Sequence, residues 1–275
     1  KGVSLATAAA TEWRTEQVDA RGVSLELLRG GQGDPLLVLH DQEYLNVSWP
    51  YLDTLAERFS VIVPSHPGFG QSSLPDNFDS IDDVAYAYLD LLRVLKPQSL
   101  RLMGLGLGGW IAAEMAVHCT AEFERLVLVD SVGIKTGAYT DRDIADNFLM
   151  DAHDFLEASW HDPAAGGKIM KLPTPDLPEE DIVTLLRNRQ TTALFTWKPF
   201  MHNPKLRQRL GRINIPTLVV WGDSDKIVTP EYGRALAREI PGAKFVSLAS
   251  AGHYPYLEQP EAFTGTVIPF LTEKN

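Results

Sequence analysis

The chain has 275 residues, 44% of them hydrophobic and 22% charged, with a formal net charge of −11 at pH 7. That length suits one large domain or two small ones, and the composition excludes a disordered or fibrous chain. The negative charge argues against nucleic acid and anionic membranes as partners, and a single cysteine, Cys119, excludes an internal disulfide and a Cys-built metal cluster.

Taken in order, residues 13–18 and 23–28 read as strands joined by a turn at 19–22. Residues 35–40 (PLLVLH) form a short continuous apolar run, the mark of a buried strand. A helix is expected over 47–59, with Leu52, Leu55 and Phe59 on one face, then a strand at 61–64 and a loop at 66–70. Residues 81–95 carry Val84, Leu89, Leu92 and Leu95 near helical spacing, with Ser80 as N-cap and Asp83 at its third position. A strand at 100–103 leads through a glycine-rich turn into a helix at 110–119, followed by a strand at 126–129.

From 134 to 212 only helical segments are expected, at 141–161, 178–197 and 204–212. The alternation then returns: strand 216–221, helix 230–240, strand 244–248, helix 260–271. A strand–helix series interrupted by helices predicts a mostly parallel sheet with helices on both faces. The expected division is a core of 11–133 and 213–275 and a helical lid of 134–212. The longest uncharged apolar run, residues 102–113, is too short to span a bilayer. Residues 1–10 lack the apolar stretch of a signal peptide, and the missing initiator Met reads as a processed or truncated start. A soluble cytoplasmic protein, monomer or homodimer, with a small-molecule partner is expected.

The turn in 100–110 (LRLMGLGLGGW) has two readings. Gly104, Gly106 and Gly109 match the G-x-G-x-x-G phosphate-binding turn, although that turn usually follows a fold's first strand. Residues 104–108 also fit the nucleophile elbow G-x-S-x-G everywhere but its centre, where Gly106 has no side chain. Other segments decide between them: 37–40 and its loop, 66–72 (HPGFGQS), 221–225 (WGDSD) and 251–253 (AGH). With these motifs in this order, the chain resembles α/β-hydrolase-fold proteins over nearly its whole length.

The resemblance implies a sheet of about eight strands. It places Gly106 at the nucleophile, Asp225 at the acid and His253 at the base. It assigns the backbone N–H groups of Gln42 and Leu107 to the oxyanion hole. A His–Asp dyad without a nucleophile can activate a water or take a proton from substrate. Asp41 and Glu43 beside His40 would oppose an oxyanion, hold a cationic or hydroxylated substrate, act as acids and bases, or sit solvated and cap the helix near Val47. Asp130 is a second-choice acid or a strand-end cap, and Cys119 reads as a buried thiol. His40, Asp41, Glu43 and Asp130 are candidates to line the pocket, with Trp110, Phe195 and Trp197 expected to form its apolar wall. His40, Asp41, Glu43 and His66 lack the spacing of a metal motif, so no metal is expected, and no cofactor is implied.

The leading reading is an enzyme acting on a small, partly apolar ester or carbonyl compound through a His253–Asp225 general base. The chemistry would be hydrolysis by an activated water, C–C cleavage, decarboxylation or a cofactor-free reaction. Plant methylketone synthases and cofactor-independent dioxygenases resemble this pattern. The alternatives are an inactive ligand-binding homologue, as neuroligins resemble it in lacking the serine, and a Ser→Gly variant of an ordinary serine hydrolase.

Overall fold

The computed structural model describes residues 11–42, 49–170 and 177–273. Eight strands form one sheet: β1 (Arg14–Ala20), β2 (Val23–Gly30), β3 (Asp34–Leu39), β4 (Phe59–Pro64), β5 (Arg101–Leu105), β6 (Arg125–Val129), β7 (Thr217–Gly222) and β8 (Lys244–Leu248). Their order is β1-β2-β4-β3-β5-β6-β7-β8. The β1–β2 and β2–β4 pairings are antiparallel, and all the others are parallel. Every residue of β5, β6 and β7 is buried. Covered on both faces, these central strands read as unbroken apolar runs rather than as alternation.

Helices α1 (Pro50–Ala56), α9 (Pro255–Glu258) and α10 (Pro260–Thr272) cover one face, where Tyr51, Leu52, Phe263 and Val267 meet the strand residues Val38, Val63 and Val127. The other face packs α2 (Ile81–Leu95), α3 (Leu107–His118) and α8 (Pro230–Glu239) through Tyr88, Ile111 and Leu236. As expected, Ser80 caps α2: its hydroxyl accepts from the Asp83 N–H while the Asp83 carboxylate accepts from the Ser80 N–H.

Several boundaries differ from the sequence expectation. The expected helix 47–59 is only α1, and its first residues, 47 and 48, lie outside the described residues. The chain is extended again by Phe59, the first residue of β4. Helix α3 starts three residues early, at Leu107, because the glycines that lower helix propensity are needed where α3 touches the sheet. A β-carbon at Gly108 would stand 2.1 Å from the Leu39 carbonyl oxygen of β3.

Between β6 and β7 lie α4 (Ala152–Ser159), α5 (Pro163–Ile169), α6 (Glu179–Thr196) and α7 (Leu206–Arg209). The helix expected over 141–161 is only α4. Upstream of it the chain turns back on itself instead: Asp143 accepts from the N–H groups of Thr136 and Gly137, and Asp141 from that of Ala138. The segment 204–212 is a single turn of α-helix followed by a 3₁₀ turn.

Candidate active site

The C-terminal ends of β3, β5, β6, β7 and β8 share one edge of the sheet, where such folds place their sites. From them emerge, in order, Asp41, Gly106, Asp130, Asp225 and, on the loop after β8, His253. Gly106 sits between β5 and α3 at φ 50° and ψ −111°, a conformation glycine takes without steric cost. Its N–H donates to the Val129 carbonyl (2.8 Å), which ties the turn to β6.

Asp225 and His253 meet. Asp225 Oδ1 accepts from the N–H groups of Ile227 (2.8 Å) and Val228 (3.0 Å), which fixes the carboxylate. Asp225 Oδ2 accepts from His253 Nδ1–H at 2.7 Å. The imidazole is 3% exposed and the carboxylate residue 2%. The His253 backbone N–H donates to the Ser159 carbonyl of α4 (2.7 Å), so the insertion braces the base from outside the sheet.

The residue that defines the site is Asp41. It is not a solvated loop residue capping a helix: it is 5% exposed and folds inward over Gly106. A β-carbon added at position 106 would stand 2.2 Å from Asp41 Cγ. The carboxylate therefore fills the volume that a nucleophile's side chain would take. Asp41 Oδ1 accepts from the Leu107 N–H at 2.7 Å, and the Gln42 N–H also supports the charge. These are the two backbone donors that the family resemblance assigns to an oxyanion. Oδ2 lies 3.2 Å from His253 Nε2 in a charge contact, yet it is buried and accepts no hydrogen bond.

The charges follow from this geometry. Burial works against an ionised Asp41, but the His253 imidazolium and the two backbone N–H groups hold its carboxyl below the ordinary value. Burial likewise works against a charged His253, and the carboxylates of Asp225 and Asp41 on either side overcome it and raise the imidazole well above 6.5. Flanked on both ring nitrogens by a carboxyl group, His253 thus favours its imidazolium form.

Asp130 lies behind this array, its Oδ1 accepting from the Gly222 N–H (3.0 Å) and its Oδ2 without a hydrogen bond. Burial, and then the Asp225 charge, push its carboxyl well above 3.8, against the pull of His253. A carboxyl with a raised folded pKa supports the fold below its unfolded pKa and loses that support as pH rises through the folded value. Asp130→Asn keeps the Gly222 hydrogen bond and removes the titration. It is expected to stabilise the protein by on the order of 1 kcal/mol at pH 8 and to change little at pH 4, as read by urea denaturation at both.

The remaining expected residues disperse. His40 is a buried strut rather than a pocket wall. Its Nε2 accepts from the His66 N–H (3.1 Å), so its proton sits on Nδ1 and donates to the Asp41 carbonyl. The His66 ring stacks on it at 3.8 Å, Nε2–H donating to the His40 carbonyl (2.8 Å). Burial and the neighbouring ring keep His66 neutral. The Trp110 ring packs in the core and donates to Glu114 (3.1 Å), and Phe195 is buried in that same core. Trp197 is 57% exposed and lines an outer groove with Phe200 and Tyr139. Cys119 is half-buried beside Glu122, and burial with that charge pushes its thiol up. Glu43 lies outside the described residues.

A cavity of about 360 Å³ adjoins the site at Gln42, the residue after Asp41, and is lined by Phe148, Met150, Phe155, Met170 and Asn188 among others; Asp41, Gly106 and His253 do not line it. Asn188 is 2% exposed, and neither atom of its amide has a hydrogen-bond partner. Sequence reasoning missed Asn188. The available signal was the inverted face of α6, which buries Asn188, Thr191, Thr192 and Thr196 while exposing Val183, Leu186 and Leu194.

The Alpha/beta hydrolase family is matched over residues 17–266, and the chain belongs to that family. It is 26% identical over 256 residues, 88% of its length and 96% of the relative's, to a pimeloyl-acyl-carrier-protein methyl ester esterase of Vibrio cholerae. It is 25% identical over 233 residues, 82% of its length and 73% of the relative's, to Lipase 1 of Psychrobacter immobilis. Among solved structures it is similar in fold to the 2-hydroxy-6-oxo-6-phenylhexa-2,4-dienoate hydrolase of Rhodococcus sp. strain RHA1, with a TM-score of 0.73, 20% identity, and coverage of 96% of this chain and 100% of that one. No helix among the described residues is long and apolar enough to cross a membrane.

Proposed function

We propose that this hydrolase-family chain is an enzyme acting on a small, partly apolar ester or carbonyl compound without a serine nucleophile, and that His253 with Asp225 moves the protons. The observation that carries this reading is the 2.7 Å His253–Asp225 contact, buried and oriented by two further backbone hydrogen bonds at the end of β7. A positioned acid–base group contributes about 10²–10⁴-fold to a rate. The relatives' names, an esterase and a lipase, favour an ester or carbonyl substrate. The helical insertion over 134–212 serves as the lid, and the cavity beside Gln42 receives the apolar part.

One observation favours a second reading, an inactive ligand-binding homologue: the Asp41 carboxylate occupies the donors that an acyl-transfer oxyanion would need. The third alternative, a Ser→Gly variant of an ordinary serine hydrolase, requires the Asp41 carboxylate to stand away from position 106 in the parent, because a β-carbon there meets the inward carboxylate.

The test is turnover of a panel of activated esters and β-keto acids by the chain as it stands and by His253→Ala, with folding checked by circular dichroism. Turnover of any member, lost by at least about 10²-fold in the variant, supports the enzyme reading. Binding without turnover in both proteins leaves the ligand-binding reading standing.

A further inference from the structure

We propose that Asp41 is a catalytic carboxylate, working with His253 as a base–acid pair that enolises a neutral, partly apolar ketone. The proposal rests on the enzyme reading above and deepens it by naming a reacting group and a substrate class.

Three observations converge on Asp41. Its carboxylate occupies the volume left by the missing side chain at Gly106, so it faces the place where a reacting atom would otherwise be attacked. Its Oδ2 is buried, and its partner is the His253 imidazole, which leaves a lone pair of that oxygen for a substrate proton. That oxygen lies 3.2 Å from His253 Nε2, so a base and an acid stand side by side.

The same geometry disfavours acyl transfer. Asp41 Oδ1 already holds the Leu107 N–H, so a tetrahedral oxyanion would have to displace it. A reaction that needs no such hole fits better. In enolisation the Cα–H bond breaks and its proton passes to Asp41 Oδ2. The electron pair forms the C=C bond, and the carbonyl oxygen takes the proton from His253 Nε2. The products are the enol, a protonated Asp41 and a neutral His253 still donating Nδ1–H to Asp225. Passage of the proton from Oδ2 to Nε2 restores the site, and no co-reactant is consumed. Asp41 is a weak base while the imidazolium stands beside it. Handing the imidazolium's proton to the substrate removes that charge, so the carboxylate gains basicity in the same step.

The cavity that adjoins Asp41 through Gln42 suits the substrate's apolar part. Phe148, Met150 and Phe155 favour a ring or chain, and the unpartnered Asn188 amide offers a second anchor for a neutral oxygen or nitrogen. Gln42, the residue after Asp41, lines the same cavity.

The experiment is α-hydrogen exchange of phenylacetone in D₂O, followed by proton NMR, with the chain as it stands and with Asp41→Asn. The amide keeps an acceptor for Leu107 but cannot take the proton. A second variant, Asp41→Ser, guards against a folding defect, and thermal melts accompany all three proteins. Exchange above the buffer rate, reduced by about 10²-fold or more in both folded variants, is the expected result. No exchange above buffer, or exchange that survives both substitutions, overturns the proposal. Those outcomes leave the wider enzyme reading intact where the ester and keto-acid panel is still turned over in a His253-dependent way.

Discussion

Restoring a serine at position 106 is expected to yield an esterase only when Asp41 is removed at the same time. Gly106→Ser alone forces a β-carbon to within 2.2 Å of the Asp41 carboxyl carbon, on backbone with φ 50°. Relief requires the carboxylate to leave the Leu107 N–H and its place beside His253, at a cost of about 1–3 kcal/mol from overpacking. The single variant is therefore expected to lose stability and gain no ester turnover. Asp41→Ala with Gly106→Ser empties the site, places a hydroxyl near His253 and frees the backbone donors of Leu107 and Gln42.

Each such donor is worth about 10²–10³-fold in acyl transfer. The double variant is therefore expected to hydrolyse p-nitrophenyl acetate at least about 10²-fold faster than either single variant, with a burst of p-nitrophenol marking an acyl-enzyme. If Gly106→Ser alone is as active as the double variant, Asp41 does not hold the nucleophile's place in solution. A strongly non-additive result instead identifies Gly106 and Asp41 as a matched pair, in which the loss of one side chain makes room for the other.

How far the sequence foretold this site depended on the range of the forces involved. Strands β5, β6 and β7 were legible because burial on both faces makes them apolar throughout, and α2 because Ser80 and Asp83 cap it locally. Gly106, Asp225 and His253 were legible because each sits in a motif read along the chain. The inward turn of Asp41 was not. It follows from an empty volume at Gly106 and a donor on Leu107, which the pairing of Leu39 with Gly104 brings alongside. Read alone, HDQE is a polar loop. Read against a glycine where a side chain belongs, it is a replacement. Trp197 failed for the converse reason: a large aromatic residue is drawn to a pocket on average, but here α6 ends with that ring turned outward.

Removing the His253 ring is expected to cost about 3–5 kcal/mol at pH 7, because it strands two buried carboxylates, Asp41 and Asp225, beside a third acidic group, Asp130. The pH dependence separates this from the loss of packing. The folded pKa of His253 is raised above 6.5, so its stabilisation is complete below 6.5 and disappears as pH climbs through the raised value. Asp41 has a lowered folded pKa, so its contribution is present above 3.8 and disappears as pH falls through the lowered value. In His253→Ala the imidazolium is gone, and buried carboxylates take up protons as the medium becomes acidic. The difference between the two proteins is therefore expected to be largest between the ordinary values of 3.8 and 6.5, and to shrink as pH falls through the lowered Asp41 value or climbs through the raised His253 value, as urea denaturation along a pH series would show. A cavity alone carries no charge, so a difference that stays level across that range would mean that the carboxylate–imidazolium–carboxylate array contributes nothing to the fold. A peaked profile would place the proton on His253 in the resting site, where the enolisation chemistry requires it.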